Sequence, residues 1–152
     1  NKKDEKILRR PAAHFDFKKY SKKEIRELIK TMRLTMQAAE GIGLSANQIG
    51  LNIKVFVAKV DNKFYAVFNP EIIQHSKETV PTDEGCLSIP GVFGMVERPE
   101  KVVLKGWDAS GKLVKIKAWG LLARVFQHET DHLNGKLFID KAKRVGRVPI
   151  VK

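Results

Sequence analysis

The stretch Leu121-Leu-Ala-Arg-Val-Phe-Gln-His-Glu-Thr-Asp-His-Leu133 contains the pattern from which the fold and the chemistry of this chain are inferred. Gly120 precedes it, and Gly135 follows where glycine commonly ends a helix, so we predict a helix from about Leu121 to Leu133. The apolar residues of this segment indicate that the helix is buried; they are Leu121, Leu122, Val125 and Phe126.

His128-Glu-Thr-Asp-His132 within this helix is the H-E-x-x-H pattern, which is typical of metal-dependent hydrolases. Residues four apart lie on one helix face, so both imidazoles can bind one metal ion. Glu129 is placed beside the open coordination position, where it is a candidate general acid and base. Two histidines on a solvated face are the alternative, but buried imidazoles need partners, which favours a metal.

The third ligand decides the class of enzyme. A metzincin protease would have a histidine in place of Phe138, and a thermolysin-like enzyme needs a glutamate downstream of the motif, where none occurs. Cys86 is the only cysteine, and a thiolate is a strong ligand for zinc or ferrous iron, so we favour it over Asp140. His14 and His75 lack ligand-like spacing and are expected to be surface or packing residues.

The N-terminal part of the chain predicts a second helix. Ser21-Lys-Lys-Glu24 is a capping-box pattern that opens this helix, and Gly41 stops it. Residues 41–50 form a loop with glycines at both ends. Apolar residues recur at helical spacing and predict one core-facing side of the helix: Ile25, Leu28, Ile29, Met32 and Met36.

Runs of β-branched and aromatic residues predict two hairpins and a further strand. The turns are Asp61-Asn62 and Trp107–Gly111. The predicted strands are Lys54–Val60, Lys63–Asn69, Glu71–His75, Lys101–Lys105 and Lys112–Ala118. Because hairpins dominate and no βαβ alternation occurs, we predict an α+β fold. Mostly antiparallel sheets would pack around the central H-E-x-x-H helix, with an N-terminal helix, in a single domain over residues 1–152.

The chain has 29 Lys and Arg against 17 Asp and Glu, a formal net charge of +12, which suggests an anionic partner such as RNA. The basic residues are spread widely, so a solvated surface explains them equally well. Basic and aromatic residues show no interleaving of the kind that binds single strands. With no apolar run of membrane-spanning length, no secretory pattern and one cysteine, we expect a cytoplasmic protein without a membrane or a specific DNA partner.

Three segments resemble, in order and spacing, the signature motifs of the peptide deformylase family. They are Gly41-Ile-Gly-Leu-Ser-Ala-Asn-Gln48, Glu84-Gly-Cys-Leu-Ser88 and Gln127-His-Glu-Thr-Asp-His-Leu-Asn-Gly135. The resemblance covers the chain from about Ile7 to Lys143. It implies hydrolysis of the N-formyl group from the N-terminal methionine of newly made peptides, with release of formate.

The resemblance also implies a set of site residues. Cys86, His128 and His132 would hold the metal, and Glu129 would be the acid and base. Gln48 and the backbone N–H of Leu87 would bind the formyl oxygen as negative charge develops on it. The alternative for Gln48 is a loop amide that satisfies its own backbone. The predicted substrate-binding residues are Ile42, Gly43, Gly85 and Val125. For Ile42 and Val125, packing in the core is an equally good explanation of the apolar side chain.

The metal implied by the resemblance is ferrous iron, replaceable by zinc, nickel or cobalt, and the implied partners are formyl-methionyl nascent peptides. The ribosome surface is a further candidate partner because of the positive charge of the chain. An organelle or a phage-infected cell stays open as the source. Asn47 stands where the family often has proline, a difference expected to matter little. Glu40 and Arg98 are candidates for a pair beneath the site or for surface residues.

Two other functions are considered. A small metallopeptidase is disfavoured because its downstream ligand is missing. A basic RNA- or ribosome-binding module with a structural metal would need four protein ligands, whereas three good candidates are found.

Overall fold

The computed structural model of the chain describes residues 10–86, 89–136 and 144–147, with side chains except at 83–94 and 144–147. Two α-helices and eight strands lie in these ranges. Their bounds are α1 Lys22–Ala38, β1 Gly43–Ser45, β2 Val55–Val60, β3 Lys63–His75, β4 Thr79–Cys86, β5 Ile89–Pro99, β6 Lys101–Trp107, β7 Leu113–Trp119, α2 Gly120–Leu133 and β8 Arg144–Arg147. Short 3-10 helices precede α1 (Phe17–Lys19) and follow β1 (Ala46–Ile49).

Helix α1 begins with the predicted capping box. Ser21 Oγ accepts a hydrogen bond from the Glu24 N–H at 3.0 Å, and the Ser21 N–H donates to Glu24 Oε1 at 2.9 Å. Three of its predicted core residues are buried: Ile25, Met32 and Met36. No helix in the described ranges has the length and apolar character needed to cross a membrane.

Helix α1 ends near Gly41 as predicted, but the residue in the left-handed conformation is Glu40, with φ 54°. The Gly41 N–H donates to the Met36 carbonyl at 2.9 Å and satisfies one of the carbonyl groups at the helix end. Glu40 is exposed at this point of the chain.

The first sheet is antiparallel, with strand order β1-β2-β3-β6-β7. Both predicted hairpins are present in it, and Asp61 and Asn62 have the positive φ values of 52° and 62° that a tight hairpin turn requires. Strand β3 joins two runs that were predicted separately. A register shift lies between Phe68 and Glu71, where Asn69 has φ 50° and Pro70 has no N–H to donate.

The second sheet, in the order β4-β5-β8, was not predicted from the sequence. Its strands are antiparallel, and β4 and β5 pair from Thr79↔Pro99 to Gly85↔Phe93, with Cys86 opposite Ile89 after a register shift. Pro81 is tolerated because β4 is an edge strand of this sheet as described.

The first sheet separates two apolar clusters, because alternate residues of each strand point to opposite faces. One face packs on α2, and the buried residues there include Phe56, Val67, Leu104 and Phe126. The other face packs on α1 through Met32, Met36, Val57 and Phe68. Helix α2 also contacts β5 of the second sheet. The predicted α+β class, with antiparallel sheets around the H-E-x-x-H helix, is confirmed.

Candidate metal centre

Helix α2 brings His128 and His132 together on one face. Their Nε2 atoms are 3.0 Å apart, and the ring centroids are separated by 4.6 Å. His132 is 1% exposed. Two imidazole nitrogens that converge this closely are a suitable donor pair for one divalent cation, since neutral imidazole is the commonest protein ligand for such ions.

Glu129 is buried beside these histidines, at 4% exposure. Strand β1 runs against it at Gly43, where a Cβ atom would lie 2.6 Å from Glu129 Oε2 and 3.0 Å from Val125 Cγ1. A side chain of any size at this position would displace the carboxylate. Gly43 is therefore a steric requirement of the site rather than a conformational one, as its φ is not positive.

Gln48 lies in the 3-10 helix that follows β1. Its Oε1 accepts hydrogen bonds from the Ser45 N–H at 2.9 Å and from Ser45 Oγ at 3.0 Å. Two donors on one oxygen fix the orientation of the side-chain amide, so the NH2 group points away from Ser45. The side-chain oxygen of Gln48 therefore accepts hydrogen bonds from its own loop, and its NH2 group donates in a fixed direction.

Asn47 connects this turn to the metal-binding helix. Its Nδ2 donates to the main-chain carbonyl of His132 at 2.7 Å, and the residue is 3% exposed. A proline at this position, which the family often has, would have no side-chain donor for this bond, so the expected small effect of the difference stays a prediction to be tested. The sequence carried no signal for the bond, since the two residues are 85 positions apart.

Arg98 is fully enclosed, at 2% exposure, and its Nη1 contacts Asp131 Oδ2 at 2.5 Å. Of the two alternatives considered for Glu40 and Arg98, a surface position is confirmed for Glu40 but is wrong for Arg98, whose guanidinium contacts Asp131 of α2. Gln127 Nε2 adds a hydrogen bond to the Pro99 carbonyl at 2.9 Å. These two contacts fix α2 against β5 on either side of His128.

Other predicted site residues are placed less completely. The backbones of Gly85 and Cys86 lie at the end of β4, but the side chain of Cys86, together with all of Leu87 and Asp140, is outside the described residues. Among the side chains that are described, no group of three metal-binding residues is found. Val125 is buried in the core next to Gly43, and Ile42 is 47% exposed just before β1. His14 and His75 are exposed, as expected.

A buried glutamate beside two converging histidines on one helix, enclosed by antiparallel sheets, defines an α+β metal-dependent hydrolase of the H-E-x-x-H class. The family model described as polypeptide deformylase matches residues 1–148 of the chain. The chain belongs to the peptide deformylase family.

Relatives and solved structures agree with this assignment. The chain is 47% identical to the peptide deformylase of Halothermothrix orenii over 126 residues, 82% of this chain and 81% of the relative. It is 48% identical to that of Carboxydothermus hydrogenoformans over 121 residues, 80% and 79% of the two chains. The Thermotoga maritima enzyme structure matches with a TM-score of 0.84 and 38% identity, covering 90% of this chain and 91% of that chain. A probable peptide deformylase from Synechococcus phage S-SSM7 matches with a TM-score of 0.81 and 41% identity, covering 90% and 93%.

Proposed function

We propose that this chain hydrolyses the N-formyl group of formyl-methionyl peptides and releases formate. The observation that carries the proposal is the convergence of the His128 and His132 Nε2 atoms at 3.0 Å beside the buried carboxylate of Glu129. Membership of the deformylase family supplies the substrate class.

We infer that Cys86, His128 and His132 hold the metal. The two histidines already converge, and the backbone of Cys86 lies at the end of β4, next to the segment 87–88. A thiolate with two imidazoles suits ferrous iron, for which zinc, nickel or cobalt can substitute. When bound, such an ion acts as a Lewis acid and makes water a nucleophile at neutral pH.

Glu129 moves the protons in this proposal. It accepts a proton from the attacking water and delivers it to the departing amine of methionine, which leaves formate and a free N-terminus. Burial of Glu129 and the approach of its carboxylate into the space that a Gly43 side chain would fill restrict the positions open to the group. A preset position favours proton transfer because little ordering is left to occur during the reaction.

Gln48 binds the formyl oxygen through its NH2 group, together with the backbone N–H of Leu87. The two hydrogen bonds from Ser45 support the role of Gln48, because they orient the amide before substrate arrives. A preorganised donor of this kind contributes about 3–4 kcal/mol when charge develops on the oxygen.

The substrate would lie along Ile42, Gly43, Gly85 and Val125. Ile42 supports this assignment, since it is an exposed apolar side chain next to the strand that carries Gly43. Val125 is 5% exposed and lies next to Gly43, so it would form part of the apolar floor of the substrate site. We further infer that the enzyme works in the cytoplasm, near the ribosome surface, because its substrates are nascent chains and its charge of +12 favours an anionic surface.

The test uses the iron or nickel form with formyl-Met-Ala-Ser, acetyl-Met-Ala-Ser and Met-Ala-Ser, with assays for formate, acetate and internal cleavage. We expect formate from the first peptide and little acetate from the second, because an acetyl methyl group displaces the carbonyl from the donors that act in the transition state. Cleavage of the Met-Ala bond would show a metallopeptidase instead. No turnover by metal-loaded protein would contradict both enzymatic functions.

A further inference from the structure

The described residues cover the face of the first sheet that packs on α1 only in part. Helix α1 packs on β1 and β2, and the same face continues over β6 and β7 with exposed side chains. Lys115, Lys117 and Trp119 of β7 lie on it at every second position. Their partners on β6 are Lys105, Val103 and Lys101 in that order. We call these six residues the basic face.

Trp119 is the most exposed large apolar side chain of the described residues, at 69%. It borders an open groove of about 640 Å³ that crosses the ends of β3, β6 and β7. The side chains that line the groove include Gln74, Lys101, Lys117 and Trp119, and its described lining contains no carboxylate. A flat aromatic surface with two lysines beside it is suited to a ligand that is both planar and anionic.

The charges on the basic face are not balanced across the strands. Lys105 and Lys115 are direct cross-strand partners, an arrangement in which like charges repel. Glu71 lies on the other side of Lys105, and Glu100 precedes Lys101 in the chain. Glu71 therefore borders the Lys105 end of the face and Glu100 borders the Trp119 end, while the charged residues that line the groove itself are Lys101 and Lys117.

We propose that the basic face binds single-stranded RNA, with a base stacked on Trp119 and phosphates at Lys101 and Lys117. An exposed indole stacks on any unpaired base, whereas the bases of a duplex are already stacked on each other. The groove volume falls in the range of about 300–1,000 Å³ that is typical of small-ligand sites, which suits one or two nucleotides.

From the sequence we expected no basic and aromatic interleaving of the kind that binds single strands, whereas the paired strands bring lysines and a tryptophan together on this face. The segment Lys115-Ile-Lys-Ala-Trp119 alternates at period two, and β7 places the lysines and the tryptophan on one side. Strand β6 contributes Lys101 and Lys105, which its pairing with β7 places opposite Trp119 and Lys115. A search for an interleaved linear pattern misses a surface that two paired strands build together.

The experiment measures binding of the full chain to a fluorescein-labelled 12-residue oligouridylate by fluorescence anisotropy at low salt. Trp119→Ala should weaken binding about 10-fold or more, which is the usual effect of removing one stacking aromatic, and Trp119→Phe should keep most of the affinity. A 12-base-pair RNA duplex should bind more weakly than the single strand. A purely electrostatic surface would show the opposite order because a duplex has the higher charge density.

Matched lysine variants test the phosphate contacts. Lys117→Ala should lower the slope of log affinity against log salt by about 0.7, the value for one contact to a single strand. Lys30→Ala removes the same charge from an exposed position on α1 and should leave the slope unchanged. Formate release by Trp119→Ala should equal that of the parent protein. The RNA-binding proposal can therefore fail while the deformylase assignment stands, and the two failures are distinguishable.

Three outcomes would overturn the proposal. Equal affinity of Trp119→Ala and the parent protein would show that charge alone attracts RNA. Equal effects of Lys117→Ala and Lys30→Ala would show that binding is spread over the whole surface. Trp119-dependent binding to phosphatidylglycerol vesicles without binding to the oligouridylate would assign the face to a lipid surface.

Discussion

Asn47 and the main chain of His132 are joined by a buried hydrogen bond of 2.7 Å between Nδ2 and the carbonyl oxygen. The residue next to Asn47 is the proposed donor Gln48, and His132 is a proposed metal ligand. One side chain therefore ties the turn that carries the proposed formyl-oxygen donor to the helix that carries the proposed metal ligands.

Asn47→Ala should lower the free energy of unfolding by about 1–3 kcal/mol, because the His132 carbonyl keeps fewer partners in a buried site. It should also lower kcat more than it raises KM, since misplacing Gln48 removes stabilisation made only in the transition state. Urea unfolding and steady-state formate release measure the two effects. Asn52→Ala, at an exposed loop position, is the matched control and should change neither. A kcat equal to that of the parent protein would show that the bond is structural only.

Gly43→Ala should reduce turnover by about 10-fold or more with little loss of bound metal. The reason is that the substitution displaces the Glu129 carboxylate, and a general acid and base contributes roughly 100-fold or more to such reactions. The new methyl group would lie 2.6 Å from Glu129 Oε2, so the carboxylate must move. Gly106→Ala is a control of similar severity, since its Cβ would lie 2.5 Å from Val67 Cγ1, within the sheet. That variant should lose stability but keep its rate per folded molecule. Normal turnover by Gly43→Ala would place Glu129 outside the chemistry.

The contributions of Arg98 and Asp131 to the free energy of unfolding are expected to depend strongly on each other. Removal of one partner should destabilise the fold by about 3 kcal/mol, because it leaves the other charge without its partner in a largely buried place. The measurement is a double-mutant cycle of Arg98→Met, Asp131→Asn and their combination in urea. The double variant should be less destabilised than the sum of the single variants, by more than about 1 kcal/mol. Additive losses would mean that each residue acts through other contacts.

Glu129→Gln separates metal binding from proton transfer. The amide keeps the shape of the carboxylate beside Gly43 but cannot accept a proton, so turnover should fall by at least about 100-fold. Metal content, determined by elemental analysis of the purified protein, should stay at the parent value. A near-normal rate would mean that another group moves the proton.

The sequence predicted the elements whose signals are local. Both helices, the two hairpins of the first sheet and the placement of His128 and His132 on one helix face, with Glu129 beside them, follow from periodicity, caps and turn residues. Strands β4 and β5 were not predicted because residues 79–99 contain three prolines and three glycines, which locally indicate a loop. Their extended form comes from pairing with each other, which is a long-range effect.

The same limit explains what the sequence missed in the site. Asp131 is part of the H-E-x-x-H segment, yet its partner Arg98 is 33 positions away on an unpredicted strand. Gly43 is recognisable as a glycine in a loop-like stretch, but only the packing of β1 on α2 shows that Glu129 occupies the space of its missing side chain. Contacts of this kind depend on how elements pack, which no local pattern encodes.

Cys86→Ser tests the third ligand. A serine hydroxyl stays protonated at neutral pH and is a poor ligand for the softer divalent ions, whereas a thiolate binds them strongly. The variant should therefore bind less metal, measured by elemental analysis after dialysis, and should lose most of its formate release. Cys86 is the only thiol of the chain, so loss of thiol reactivity on metal loading of the parent protein gives an independent readout. Asp140→Asn is the companion variant and should keep both metal and rate. If Cys86→Ser keeps full metal content while Asp140→Asn loses it, the ligand set is two histidines and an aspartate, and the assignment of Cys86 is wrong.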